Sequence, residues 1–408
     1  MEIKLEPIDS YCVSGERNKK YIRCTVTAPT EGKTCQLALA LTLDLSSSMN
    51  GERLALAKAA LNAALDELTE QDYFCIVGYN RYSFVIHPMC LATQTNKQVA
   101  RVALAIQETR IGTNLYAGWN SAIAQLSGIT QENLFKQCIL FTDGCAGIGP
   151  RRIEEYQDGC NSAVSQLVYT STVGLGEYCN HVFLRALSDQ CGGKSFYVRD
   201  VQSLEEVFLR ELRDNRDVFF PRVKLIFSMS PSITLSNIGP QPNFMVLNKY
   251  HIELFSQRRG QITELLLLAT VRPSETEGYR LEAEATNHQY LRIGISAPCE
   301  FTTSPSERNP DVAQFASRFV LALGEVRLYE YRNDRRKQQK VLNKLEQLLQ
   351  LIGDQDLWEQ SYAELCGRFR RAVPNIDRLE FFDDCSAVIR SVDVTGVTAR
   401  VERPDKDL

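Results

Sequence analysis

The chain has 408 residues, enough for two or three domains with cores of their own. Its 44% hydrophobic and 24% charged content is ordinary for a soluble globular protein, and a formal net charge of −4 gives no global pull towards nucleic acid or anionic membrane. Thirteen cysteines occur without one C-x-x-C and the four histidines stand far apart, which argues against a zinc site.

The opening MEIKLEPIDSY lacks the apolar stretch behind a basic start that marks a signal peptide. No segment reaches the roughly 18 consecutive apolar residues of a membrane span. A reducing, cytoplasmic location is expected. In chain order, residues 1–35 carry short alternating segments, Ile3–Leu5 and Tyr21–Val26, that read as half-buried strands. Thr30-Glu31-Gly32-Lys33 is a turn-rich joint. Residues 36–215 then alternate strands and helices. The strands are Gln36–Leu43, Tyr73–Tyr79, Ser83–His87, Cys138–Thr142, Val168–Val173 and Ser195–Val198. The helices are Arg53–Leu68, Asn96–Gln107, Leu115–Leu126, Ile153–Gln166, His181–Ser188 and Ser203–Asp214. This alternation predicts an α/β fold, a doubly wound and mostly parallel sheet with an antiparallel hairpin at one edge.

After Pro221 the texture changes to β-rich segments punctuated by Pro, Asn, Ser and Gly. Residues 216–304 read as an antiparallel β-sandwich, which the N-terminal strands are expected to join. Ser304 to Pro310 is a linker, and Asp311 is expected to cap the next helix, to about Tyr331. A second helix, Asp334–Ile352, puts Val341, Leu345, Leu348 and Ile352 on one face, and a third covers Asp356–Ala372 before Pro374. Together they make a C-terminal helical hairpin or bundle, 311–373. The tail, 374–408, holds only short apolar groups.

The chemistry collects at strand ends. An apolar run, Leu37–Leu43, stops abruptly in Asp44, Ser46 and Ser48. One carboxylate and two hydroxyls in a single turn suit a hard cation and suit zinc or copper poorly. The same residues also suit the capping of a strand-to-helix turn, so D-x-S-x-S alone leaves both readings open. Ile111-Gly112-Thr113-Asn114 adds a third hydroxyl, and CILFTDG, Cys138 to Gly144, is a second buried strand ending in Asp143. Open α/β sheets bind ligands at the carboxyl ends of their strands, so these segments are expected to converge.

In order and spacing, Asp44-x-Ser46-x-Ser48, Thr113 and the Asp143 of TDG resemble the metal-ion-dependent adhesion site of the von Willebrand factor A domain. The resemblance covers roughly residues 36–215, with all five positions unsubstituted. It implies direct ligation by Ser46, Ser48 and Thr113, with Asp44 and Asp143 ligating directly or through water. The ion it implies is Mg²⁺, with Mn²⁺ or Ca²⁺ as alternatives, and the open position would take an Asp or Glu of another protein. A domain of this kind inserted between two pieces of a β-domain is similar to several bacterial proteins and, in outline, to inter-alpha-trypsin inhibitor heavy chains. Met49 and Asn50 are expected at the rim, with Asn114 and Gly144 supporting the ligands from behind.

Other motifs carry less. Gly192-Gly193-Lys194-Ser195 lacks the first glycine of a phosphate loop, since that position is Ser188, and it runs into a strand. A tight turn is expected there. Gly174-x-Gly176 lacks the third glycine of a dinucleotide fingerprint. Cys145 follows the Asp143-Gly144 pair, yet no histidine is placed beside it. The basic run Arg335–Lys340 reads as a solvated helix face. The expectation is a non-enzymatic interaction protein or scaffold that binds neither nucleic acid nor membrane. Two alternatives remain: an accessory subunit of a separate AAA+ ATPase or of a kinase/phosphatase stress-signalling module, or an enzyme using the metal as Lewis acid. The enzyme would need a general base that the sequence does not show.

Overall fold

The computed structural model describes residues 1–352 apart from 132, 145, 177–178, 199–208, 210, 240, 242, 247–248, 274–278 and 331–334. Most of the expected helix Ser203–Asp214, the helix Asp356–Ala372, the tail and Cys145 therefore lie outside the described residues. The chain divides into two compact units. One is built from Met1–Thr30, Arg222–Phe255 and the chain from Gly260 onward; the other is built from Glu31–Pro221 with Ser256–Arg259.

The chain begins with β1 (Glu2–Pro7) and β2 (Asn18–Thr27), paired antiparallel from Glu2 opposite Thr27 to Pro7 opposite Ile22. The α/β unit follows: β3 (Gln36–Asp44), a 3₁₀ turn (Ser47–Met49), α1 (Glu52–Glu67), β4 (Tyr73–Tyr79), β5 (Ser83–Leu91), α2 (Gln94–Ala105) and α3 (Leu115–Ser127). It continues through β6 (Leu134–Thr142), α4 (Gln157–Ser165), β7 (Val168–Leu175), α5 (His181–Gln190) and β8 (Gly192–Val198). The sheet order is β5-β4-β3-β6-β7-β8, parallel throughout except for the β4–β5 hairpin at one edge. This is the expected mixed, mostly parallel sheet. Its interior strands are apolar runs and not alternating ones: every residue of β7 is buried, as a sheet covered on both faces requires. Trp119 of α3, Tyr156 and Phe183 of α5 close one face over Val77 and Leu140.

Two local expectations fail. The helix read as Ile153–Gln166 opens with a 3₁₀ turn, Ile153–Tyr156, before α4. Gly192 and Gly193 are not a turn before a strand; they are the first residues of β8. A Cβ at Gly193 would lie 2.0 Å from the Thr170 carbonyl oxygen, so the glycine serves close strand approach.

Past β9 (Val218–Phe220) the first unit resumes with β10 (Val223–Met229), β11 (Ile233–Asn237), β12 (Asn243–Val246) and β13 (Lys249–Leu254). After β14 (Gln257–Arg258), which pairs with β9 in the α/β unit, come β15 (Ile262–Val271), β16 (Tyr279–Asn287), β17 (Arg292–Ile295) and β18 (Cys299–Phe301). They form two antiparallel sheets, β1-β2-β15-β11 and β12-β13-β10-β16-β17, with β18 also on β16. The β2–β15 ladder is the longest, running from Thr27 opposite Ile262 to Asn18 opposite Val271.

Helices α6 (Pro310–Glu330) and α7 (Arg335–Gln350) are not set apart from these sheets. Val312, Phe315 and Phe319 of α6 and Leu345 and Leu349 of α7 share one core with Ile8, Tyr21 and Leu266. The Tyr21 hydroxyl donates to the Leu348 carbonyl at 2.8 Å. Asp311 does not cap α6. Asn309 does, its Oδ1 accepting from the amides of Asp311 at 3.1 Å and Val312 at 3.3 Å, and Pro310 takes the first helical position, where its missing N–H costs nothing. Asn309→Ala should therefore cost about 1 kcal/mol of stability and Asp311→Ala clearly less. Urea unfolding of both variants checks this, and the reverse order would restore the cap to Asp311.

Candidate metal centre

The centre is built at the carboxyl ends of β3, β4 and β6. Asp44 is the last residue of β3, fully buried, and stands opposite Tyr79 of β4. Its Oδ1 accepts from the Ser46 amide at 2.8 Å, closing an Asx turn as the strand leaves the sheet. Its Oδ2 accepts from the Thr142 hydroxyl at 2.7 Å and the Tyr79 hydroxyl at 3.1 Å. One carboxylate is thus gripped from three adjacent strands. Beyond it, the Ser46 and Ser48 hydroxyl oxygens lie 3.0 Å apart, Ser46 buried and Ser48 exposed.

Asp143 follows Thr142 and is also buried. The turn around it is pinned by the Gly144 amide, which donates to Thr142 Oγ1 at 2.9 Å, and by the Asn180 amide, which donates to the Asp143 carbonyl at 3.2 Å. Thr113 is buried on the segment before α3, and its carbonyl accepts from Gly147 at 3.0 Å and Ile148 at 2.9 Å in the loop after β6. The same segment bonds to the ends of β3 and β4, through Arg110 N to Leu45 O at 2.8 Å and Asn114 N to Asn80 O at 2.7 Å. Asp44 at the end of β3, and Ser46, Ser48, Thr113 and Asp143 on loops tied to the same strand ends, are the five residues singled out in the sequence.

The surroundings differ in detail from expectation. Met49 is not at the rim: the 3₁₀ turn carries its side chain into the core, fully buried, and leaves Asn50 exposed. Asn114 caps α3, its Oδ1 accepting from the Ala117 amide at 3.1 Å. Tyr79, Thr142 and Arg53 were not singled out. Both Tyr79 and Thr142 are ordinary strand residues in sequence, and only the strand register sets them beside Asp44. Gly118 supports Tyr79 from α3, because a Cβ there would come within 2.3 Å of the ring. Arg53, on α1, donates to the Ser48 carbonyl at 3.1 Å and lies 3.9 Å from Asp143 Oδ2.

Burial pushes the Asp44 carboxyl up from an ordinary 3.8 to about 6. Hydrogen bonds from Ser46 and Thr142 oppose the rise, and the neighbouring charge of Asp143 adds to it. The buried Asp44 and Asp143 carboxylates and the hydroxyls of Ser46, Ser48 and Thr113 offer oxygen donors only. That chemistry fits a hard divalent cation and gives a soft metal neither thiolate nor imidazole. Among the described residues no three His, Cys, Asp or Glu side chains gather to make a site of the other kind.

Residues 37–196 match the family model described as von Willebrand factor type A domain. Over 157 residues the chain is 28% identical to human inter-alpha-trypsin inhibitor heavy chain H3, covering 37% of this chain and 18% of that protein. Over 155 residues it is 28% identical to the human voltage-dependent calcium channel subunit alpha-2/delta-2, covering 36% and 13%. The chain thus spans less than a fifth of these relatives. Among solved structures it resembles von Willebrand factor type A from Catenulispora acidiphila, with a TM-score of 0.65 and 17% identity over 88% of each chain. It also resembles the ArnB paralog VWA2 from Sulfolobus acidocaldarius, with a TM-score of 0.52 and 14% identity over 97% of this chain and 96% of that one. At such identities the likeness is one of fold. The α/β unit thus resembles the von Willebrand factor type A domain, by the family model over residues 37–196 and by its fold.

A carboxyl raised in the folded state stabilises the fold while it is protonated and loses that stability as pH rises from its unfolded towards its folded value. In chelator, the metal-free protein should therefore lose about 3 kcal/mol through Asp44 between pH 4 and pH 7. Asp44→Asn has no charge to bury. Its melting temperature relative to the parent should rise across that window, and a difference independent of pH would refute the assignment.

Proposed function

We propose that Asp44, Ser46, Ser48, Thr113 and Asp143 hold one divalent cation, Mg²⁺, and that the chain is a metal-dependent protein-interaction module and not an enzyme. The observation that carries this is the meeting of two buried carboxylates and the serine hydroxyls at one sheet edge. When bound, the ion would supply an electron-poor open position for a carboxylate oxygen. The protein's part is to arrange the donors. Asp44 is held rigid by Ser46, Tyr79 and Thr142 and contributes charge from below. Ser46, Ser48 and Thr113 offer neutral oxygens, which leave the ion's charge for an incoming ligand. Ca²⁺ would ask for six to eight oxygens, whereas Mg²⁺ accepts a few protein donors and completes its shell with water. The ligand would be an Asp or Glu of a partner protein, with rim contacts setting specificity.

The relatives support a binding role: they are named as an inhibitor heavy chain and a channel subunit, and neither name is that of an enzyme. Within this proposal the antiparallel sheets and their helices serve as scaffold or second contact surface. The proposal includes the reducing, cytoplasmic location expected from the sequence.

The test starts with the metal alone. Mg²⁺ at a hundredfold its Kd should stabilise the parent by about 2.7 kcal/mol in thermal unfolding, and EDTA should remove the gain. Asp143→Ala and Ser46→Ala should fold and show no gain. A pull-down from source lysate, with Mg²⁺ and with EDTA, should then retain partners only in Mg²⁺ and only on the parent. Equal Mg²⁺ stabilisation of Asp143→Ala would move the ion elsewhere, and bands indifferent to EDTA would remove the metal as anchor.

A further inference from the structure

Arg53 lies in the first turn of α1, where the helix macrodipole disfavours a cation. Its guanidinium is nevertheless folded over the metal centre. Nη1 donates to the Ser48 carbonyl at 3.1 Å and stands 3.9 Å from Asp143 Oδ2. Gly176, after β7 with φ +88°, leaves room on the other side: a Cβ there would sit 2.6 Å from Arg53 Nε. The side chain is 34% exposed, and among the described residues only Nη1 finds a hydrogen-bond acceptor. The guanidinium is therefore held beside the ligand set, its Nε, Cζ and Nη2 facing Gly176 and part of the side chain exposed.

The charges make the position meaningful. Asp44 and Asp143 match a divalent ion, so the five ligand residues alone would leave the loaded centre neutral. Arg53 adds one positive charge that those residues do not cancel. We propose that Arg53 is a specificity-determining residue of the centre: it biases the loaded site towards an anionic partner group and offers its exposed donors to the second oxygen of the carboxylate that the ion would hold. This rests on the metal-binding function proposed above. The arrangement has a cost of definite sign, because the guanidinium repels the ion while it attracts the acid. A residue that merely braced the Ser48 loop would act the other way, and losing it would weaken the ion.

The test uses the full chain, Mn²⁺ followed by electron paramagnetic resonance, and acetate followed by line broadening of its methyl signal, with acetamide as neutral control. Arg53→Gln should bind Mn²⁺ alone about tenfold more tightly than the parent, the scale set by charges of +1 and +2 several ångströms apart at an exposed site. Arg53→Lys, which keeps the charge, should stay near the parent. Acetate should bind the Mn²⁺-loaded parent several-fold better than Mn²⁺-loaded Arg53→Gln, with Arg53→Lys between them because it lacks the fork. Acetamide should not distinguish the three. Mn²⁺ bound no tighter by Arg53→Gln would overturn the proposal and make Arg53 a brace, and equal acetate affinities would overturn the selectivity. A parent that binds no Mn²⁺ would overturn the metal centre itself and this proposal with it.

Discussion

The carboxylate of Asp44 is the point on which the α/β unit turns. It sits at the end of the central strand, out of contact with water, and accepts hydrogen bonds from the ends of β3, β4 and β6. A buried charge so held costs free energy unless something positive approaches it. The fold supplies donors in the form of hydroxyls and one amide, enough to hold the group in place. These moderate the cost without removing it, and burial still holds the carboxyl's pKa above its ordinary value. The sheet thus keeps a local electrostatic debt at the one edge where strands, loops and helix α1 all converge.

The loops above that carboxylate are stitched by backbone hydrogen bonds. Thr113 is tied to Gly147 and Ile148, Arg110 to Leu45, Asn114 to Asn80 and Asp143 to Asn180. Backbone ties depend little on which side chains the loops carry. The rim can therefore vary in sequence while the oxygen-bearing residues keep their places, in line with relatives 28% identical over 157 and 155 aligned residues.

The α/β alternation and the carboxylates that end β3 and follow β6 were legible in the sequence because polar residues interrupt apolar runs at strand ends, where a buried strand has no other use for them. Tyr79 and Thr142 were not legible, because tyrosine and threonine are ordinary strand residues and only register reveals that they meet Asp44. Met49 misled because an apolar residue after a serine pair gives no hint of which way a 3₁₀ turn faces. At α6, Asn309 and Asp311 are both good caps in sequence, and the decision lies in the fixed φ of Pro310 between them. Short strands such as β12 and β17 were missed because four residues show too little alternation to separate from loop.

The long ladder between β2 and β15 bears on how the chain is made. Thr27 must wait for Ile262 before its backbone finds that partner, whereas every strand of the β3 to β8 sheet pairs within its own stretch of chain. As the polypeptide leaves the ribosome, the von Willebrand A-type sheet can close first. The two N-terminal strands meanwhile remain a hairpin with one edge unsatisfied, a form marginal by itself in water. Lys19 and Lys20 at the start of β2 put charge on that waiting edge, a feature that discourages pairing with a neighbouring nascent chain. The order of folding would thus depart from the order of the chain, with the β3 to β8 sheet complete before the sheet that holds β1 and β2.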